Sequence, residues 1–248
     1  MLILLPPSET KRVGGDEGTH LDFTALSFPT LTKPRRVAVD GVRRLSRNLG
    51  AATGALRLGG TQASEVARNR VILTSPVMAS IDRYDGVLYE GLDAASLTAA
   101  ERAFAGRHVA IASAAFGLTM ALDPIPAYRL SHDSRLPGVA LGRLWRAPLG
   151  QVLAATEGLL VDLRSEAYAA LGPLPDRPDA VFVRVVSEDG EGRRRALNHF
   201  NKKGKGEFVR ALLQSGDVHA SVDALLAWAR TAGVHLEPGA SGELDLLV

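Results

Sequence analysis

Leu2-Ile3-Leu4-Leu5-Pro6-Pro7-Ser8-Glu9-Thr10-Lys11 runs four apolar residues straight into two prolines and a polar turn. The apolar run reads as a short buried strand, and the stiff turn at its carboxyl end lies where open sheets place ligands. Working outward, other segments repeat this alternation. His108 to Ala115 is a second β-type run, Leu159 to Leu163 a third buried strand, and Glu243 to Val248 a final strand. Val181 to Val186 and Arg194 to Leu197 read as a hairpin around Asp189-Gly190. Helical patterns fill Val37 to Asn48, Leu144 to Glu157, residues 206–214 and residues 221–231. A further helix follows Gly59-Gly60-Thr61, with Thr61 as its N-cap. Gly86 to Gly91 reads as a short strand or loop, and Phe116 to Arg135 as an irregular segment rich in proline and glycine. The expectation is a mixed α/β (α+β) fold: a single domain over residues 1–248 with a central mixed sheet flanked by helices.

Composition narrows the function classes. A chain of 248 residues that is 46% hydrophobic can bury a substantial core. No linker divides it, no repeat of 20 to 50 residues is visible, and no apolar window is long enough to cross a bilayer. The apolar start is too short for a secretory signal and lacks a basic flank, so a cytoplasmic location is the expectation. With no cysteine there are no disulfides, thiolate metal sites or cysteine nucleophiles. The six histidines lack metal-ligand spacing, and no cofactor is identified. The formal charge is only +2, yet the pI near 9.1 suits partners that carry phosphate or carboxylate. Aromatic residues, at 5%, are too few for stacking platforms along a single strand.

The positive charge is carried mostly by arginine, except at Lys202, Lys203 and Lys205; only Lys11 and Lys33 are lysines elsewhere. Gly204 and Gly206 would let backbone amides approach a phosphate or carboxylate there, just before an apolar helix from Phe208. A solvated basic turn is the plainer reading. Four polar clusters end apolar runs: Ser8, Glu9 and Lys11; Tyr89 and Glu90; Asp123, Tyr128 and Arg129; and Ser165, Glu166 and Tyr168. Together they would bring carboxylates, phenols and cations to one anionic ligand. Individually, Ser165 would only cap a helix, Tyr128 fill the core, and Arg129 pair with Asp123. Residues 42–70 carry the rhythm of a helix-hairpin-helix, in which Gly59, Gly60 and Thr61 would offer amides to a DNA phosphate. The signal is weak, and an ordinary connection with a capped second helix accounts for it more readily.

The order of these motifs resembles the YaaA peroxide stress family over nearly the whole chain. The resemblance rests on Leu4-Leu5-Pro6-Pro7-Ser8-Glu9, Leu88-Tyr89-Glu90-Gly91, Ile125-Pro126-Ala127-Tyr128-Arg129-Leu130, Asp162-Leu163-Arg164-Ser165-Glu166-Ala167-Tyr168, and His199 through Gly206. It implies an intracellular protein with a positively charged cleft and a helix-hairpin-helix-like element. It also implies binding to double-stranded DNA and a part in limiting iron-driven damage under peroxide. The cleft residues it implies are Ser8, Tyr89, Tyr128, Arg129, Ser165, Tyr168, Lys202 and Lys205, with Gly59, Gly60 and Thr61 in the hairpin. Where the family reads aromatic-Gly-x-Leu-Arg-Pro, this chain has Phe116-Gly117-Leu118-Thr119-Met120-Ala121, replacing a cation by Met120 and a proline by Ala121.

Two functions follow. In the first, a DNA-binding protein of the peroxide stress response grips phosphates with Lys202, Lys203, Lys205 and neighbouring arginines. In the alternative, a divergent enzyme acts on a small anionic substrate, a nucleotide or amino acid derivative. Lys202 and Arg129 then hold the anion, Glu9 or Glu166 moves a proton, and Tyr89 or Tyr128 orients the reacting group. An iron-sequestering role finds no ligand cluster.

Overall fold

β1 (Leu2–Leu5) is buried at all four residues, and its neighbours follow from that burial. The computed structural model describes residues 1–59, 62–188, 194–196 and 200–248. After β1 the chain forms α1 (Thr32–Leu45), α2 (Leu49–Ala55), α3 (Ala63–Arg70), the short strand β2 (Val77–Ala79), α4 (Ser80–Arg83) and α5 (Val87–Leu92). α6 (Ala99–His108) starts at a capping box, in which the Thr98 hydroxyl accepts from the Glu101 amide and the Glu101 carboxylate accepts from the Thr98 amide. β3 (Val109–Ser113) follows, then β4 (Gly117–Met120), β5 (Pro124–Pro126), α7 (Leu141–Ala155), β6 (Leu160–Asp162) and α8 (Glu166–Ala169). The chain closes with β7 (Ala180–Glu188), β8 (Arg194–Ala196), α9 (Phe200–Ser215), α10 (Val222–Thr231), β9 (Leu236–Pro238) and β10 (Glu243–Leu247).

Among the described residues the main sheet orders its strands β4-β3-β1-β6-β7-β10-β9, with β8 paired to β7. The five central strands β3, β1, β6, β7 and β10 are mutually parallel, and β4, β8 and β9 join antiparallel. Parallel strands covered on both faces must be apolar throughout, which is why β1 and β3 are buried at every position. β2 and β5 make a separate two-stranded sheet. One hydrophobic core runs from β1 through α1, β3, α7 and β6 to α9 and α10.

From β1 the chain reaches β3 on one side and, later, β6 on the other. The strand order therefore reverses between β1 and β6, and the crevice outside their carboxyl ends is where such sheets leave room for a ligand.

Three local expectations are corrected. Gly86 to Gly91 is not a strand, because residues 87–92 form α5. The irregular segment contains β4 and β5, whose backbone groups are paired with β3 and β2. Lys202 to Gly206 do not form a loop: α9 starts at Phe200, so Gly204 and Gly206 lie inside the helix, beyond its first turn of free amides. In the expected hairpin region, α2 and α3 flank the connection, and the Gly59 amide already donates to the Gln62 side-chain oxygen at 2.9 Å. Gly60, Thr61, the Asp189-Gly190 turn and His199 lie outside the described residues.

Candidate functional site

Residues that follow β1 and β6 meet residues of α5 and α9 around a cavity of about 560 Å³. The β1 turn contributes Pro6 through Thr10, the start of α5 Gly86 through Tyr89, and α8 with its cap Ser165 and Tyr168. His132 and the α9 lysines Lys202 and Lys205 complete the wall. Of the residues singled out from sequence, Ser8, Glu9, Tyr89, Ser165, Tyr168, Lys202 and Lys205 are thus brought together.

α5 is placed by backbone contact. Gly86 begins it at φ 119°, a conformation open to glycine, and a Cβ there would come 3.1 Å from the Ser8 hydroxyl. At the other end, a Cβ on Gly91 would meet the Lys203 carbonyl at 2.8 Å, and one on Gly206 the Leu88 carbonyl at 2.1 Å. Two helices in backbone contact hold Tyr89 and the lysines on facing walls. The Tyr89 hydroxyl donates to the Pro6 carbonyl at 2.8 Å, tying α5 to the β1 turn.

The β6 side is built on an ion pair. Asp162 and Arg164 are both fully buried, with Arg164 Nε 2.8 Å from Asp162 Oδ1 and Nη2 2.6 Å from Oδ2. Asp162 Oδ1 also accepts from the Arg164 amide at 2.9 Å, and Arg164 Nη2 donates to the Gly172 carbonyl. This folds the turn so that the Leu163 and Arg164 carbonyls accept from Lys205 Nζ at 2.8 and 3.4 Å. Lys205 is only 6% exposed. Burial lowers its pKa to about 8, although Asp162 pulls it upward.

Lys11, Tyr128 and Arg129 stand behind the cavity instead of lining it. Lys11 is buried with Nζ 4.3 Å from the Tyr128 ring centroid, and burial lowers its pKa to about 8 against the opposing pull of Glu9. The Tyr128 hydroxyl bonds Ser113 Oγ at 2.7 Å and the Tyr84 hydroxyl at 2.9 Å. Ser113 Oγ already accepts the Ala115 and Phe116 amides, so its own hydrogen goes to Tyr128. Arg129 pairs with Glu9 at 3.2 Å, whereas Asp123 accepts from Ser27 and from the Met120 amide; the expected Arg129–Asp123 pair is absent. Burial holds the pKa of Tyr84 up at about 12 and raises those of Tyr89, Tyr128 and Tyr168, so these phenols are neutral near pH 7. They can donate hydrogen bonds and fix orientation. They cannot serve as bases there.

The other expected site residues face elsewhere. Glu166 is exposed and pairs with Arg184 at 2.8 Å. Lys203 is exposed and pairs with Glu207 one turn along α9 at 3.4 Å. Gly59 does not line the cavity. His132 was not singled out from sequence: its ring packs edge-on to Tyr168, with centroids 5.3 Å apart at 75°. A lone histidine in an irregular segment has no spacing partner to reveal it.

Among the described residues no group of three or more His, Asp or Glu side chains is arranged to hold a metal ion. None of their helices is long and apolar enough to cross a membrane. The chemistry on offer is one of binding and proton transfer: two cations, one carboxylate, one imidazole, two serine hydroxyls and two neutral phenols around a space of metabolite size.

Comparison with known proteins finds relatives that match along nearly all of the chain. A family model described as Peroxide stress protein YaaA matches residues 1–235. A UPF0246 protein of Corynebacterium glutamicum strain R is 41% identical, with 100% of both chains covered. A UPF0246 protein of Streptomyces coelicolor is 38% identical over 100% of this chain and 98% of its own length.

Proposed function

This chain belongs to the peroxide stress protein YaaA family, and from that premise we propose that its cavity binds a small anion of metabolite size. One observation carries the reading. Lys205 is a buried cation bordering the cavity whose nearest carboxylates are engaged elsewhere, Asp162 by Arg164 and Glu166 by Arg184. A buried cation that no carboxylate of the described residues pairs directly is costly, and a ligand phosphate or carboxylate held between Lys205 and Lys202 would supply a partner. A cavity of about 560 Å³ takes a nucleotide or amino acid derivative and does not admit a duplex.

Thermal shift against nucleotides, phosphorylated sugars and amino acid derivatives tests it. An anionic ligand at a hundred times its Kd adds about 2.7 kcal/mol of stability. For a chain of this size that raises Tm by roughly 5–10 °C. Lys202 is exposed, so Lys202→Ala leaves the ligand-free Tm unchanged and weakens binding by about tenfold or more. Equal shifts from neutral and anionic compounds, or full affinity in Lys202→Ala, would refute the anion site.

DNA binding remains a second reading, supported by a different surface from the one expected. Lys33, Arg36 and Arg44 are exposed on one face of α1, with Arg47 just past its end, and the Asp40 among them is paired with Arg43. Such a stripe suits a phosphate backbone. Duplex binding followed by anisotropy is then expected to weaken as salt rises. An Arg36→Ala/Arg44→Ala double variant should lower the log–log salt slope by about two. An unchanged slope would remove α1 from the contact.

A further inference from the structure

We propose that Lys205 is a covalent site, forming an imine with an aldehyde or 2-oxo acid whose carboxylate or phosphate is held by Lys202. The proposal rests on the anion-binding reading and goes beyond it in naming a bond. Its basis is the hydrogen-bond geometry of one nitrogen. Lys205 Nζ has two acceptors, the Leu163 carbonyl at 2.8 Å and the Arg164 carbonyl at 3.4 Å. A neutral amine has two N–H donors and one lone pair. With both hydrogens committed to carbonyls of the β6 turn, the lone pair is left for the side that borders the cavity.

Lys205 is a cation near pH 7, and its surroundings ease the loss of the proton that such a step needs. The lysine is buried, and among the described residues the carboxylates that act on it are paired with arginines. Asp162 is committed to Arg164, and Glu166 to Arg184. Burial brings its pKa to about 8, with Asp162 and Glu166 opposing and Arg184 assisting. Desolvated lysines are the ones that attack carbonyl groups. Lys202 and Lys203, on the exposed side of the same helix, lack this environment.

The step balances without a redox partner. The Lys205 amine adds to the carbonyl carbon, and the carbinolamine expels the carbonyl oxygen as water, which carries away both amine hydrogens. A C=N bond replaces C=O. On taking up one proton from solvent the iminium regains an N–H for the Leu163 carbonyl. The carboxylate or phosphate of the substrate stays on Lys202 throughout.

The test incubates the full chain with glyoxylate and cyanoborohydride, then maps carboxymethylated lysine by peptide mass spectrometry. The expected result is modification at Lys205 at least tenfold faster than at Lys202 or Lys203. Lys202→Ala should slow the Lys205 reaction with glyoxylate while sparing that with neutral propionaldehyde. Lys205→Met, which keeps the side-chain length, should abolish the adduct. Thermal shift with lactate, an anion that cannot form an imine, separates the two ideas. Stabilisation by lactate without an adduct at Lys205 overturns the imine and leaves anion binding standing. Neither stabilisation nor adduct overturns both. Modification spread evenly over the exposed lysines also overturns the imine.

Discussion

Gly206→Ala should cost this protein about 3 kcal/mol or more, a Tm loss of roughly 10 °C for a chain of its length. Helix propensity alone argues the other way, since alanine is favoured over glycine by about 1 kcal/mol inside a helix. The contact decides the sign. A Cβ on Gly206 would sit 2.1 Å from the Leu88 carbonyl and 2.8 Å from the Leu92 amide, both backbone atoms of α5 that no rotamer change can move. The helices must part, and α5 carries Tyr89 on one wall of the cavity while α9 carries Lys202 and Lys205 on the other. Stability and ligand affinity therefore fall together. Gly150→Ala in α7 is the control: nothing lies within 4 Å of a Cβ there, so the same change should stabilise by about 0.5–1 kcal/mol. Chemical denaturation of the two variants checks both signs. A loss below about 1 kcal/mol for Gly206→Ala would show that α5 and α9 separate freely.

The same glycines mark where sequence reasoning stopped. β1, β3 and β6 were legible because parallel strands covered on both faces are continuous apolar runs, β7 because it is rich in β-branched valine, and β10 because its leucines alternate with acidic residues. α5 was not, because six residues give too little of a 3.6-residue period to see, and short helices depend on what they pack against. The sequence pattern starts α9 six residues late, since Gly204 and Gly206 read as loop formers until their partners in space are known. Those partners are Val248, Leu88 and Gly91, far away in sequence. The site was partly legible for a related reason. Ser8, Glu9, Ser165 and Tyr168 follow strands whose carboxyl ends share one edge, so strand order alone brings them together. Which acid meets which base was not legible: Arg129 pairs with Glu9, 120 residues away, and not with the nearer Asp123. Lys205 gave no hint of burial, because its acceptors are backbone carbonyls and any residue type supplies those.

Asp162→Asn is expected to lose about 3–5 kcal/mol, because it strands a guanidinium that is fully buried. Arg164 Nε and Nη2 both donate to the carboxylate, and an asparagine would present at most one acceptor oxygen to them while its amide hydrogens oppose the second. Arg164 Nη1 already lacks a hydrogen-bond partner among the described residues, so no spare contact absorbs the loss. Removing both charges is milder: Asp162→Leu/Arg164→Met should recover most of the stability, since replacing a buried pair by apolar residues of similar volume is often close to neutral. The effect reaches the cavity through the turn. The pair aims the Leu163 and Arg164 carbonyls at Lys205, and the Asp162 charge is the largest influence holding that lysine's pKa up against burial. In Asp162→Asn the Lys205 pKa therefore falls further below about 8, and the pH above which its amine is free moves down with it. Urea denaturation at pH 7 reads the first consequence. The pH dependence of Lys205 modification by a neutral aldehyde, measured below the transition, reads the second. A stability loss under about 1 kcal/mol would mean that water reaches the pair. A pH profile that does not move would detach Asp162 from the lysine it is placed to control.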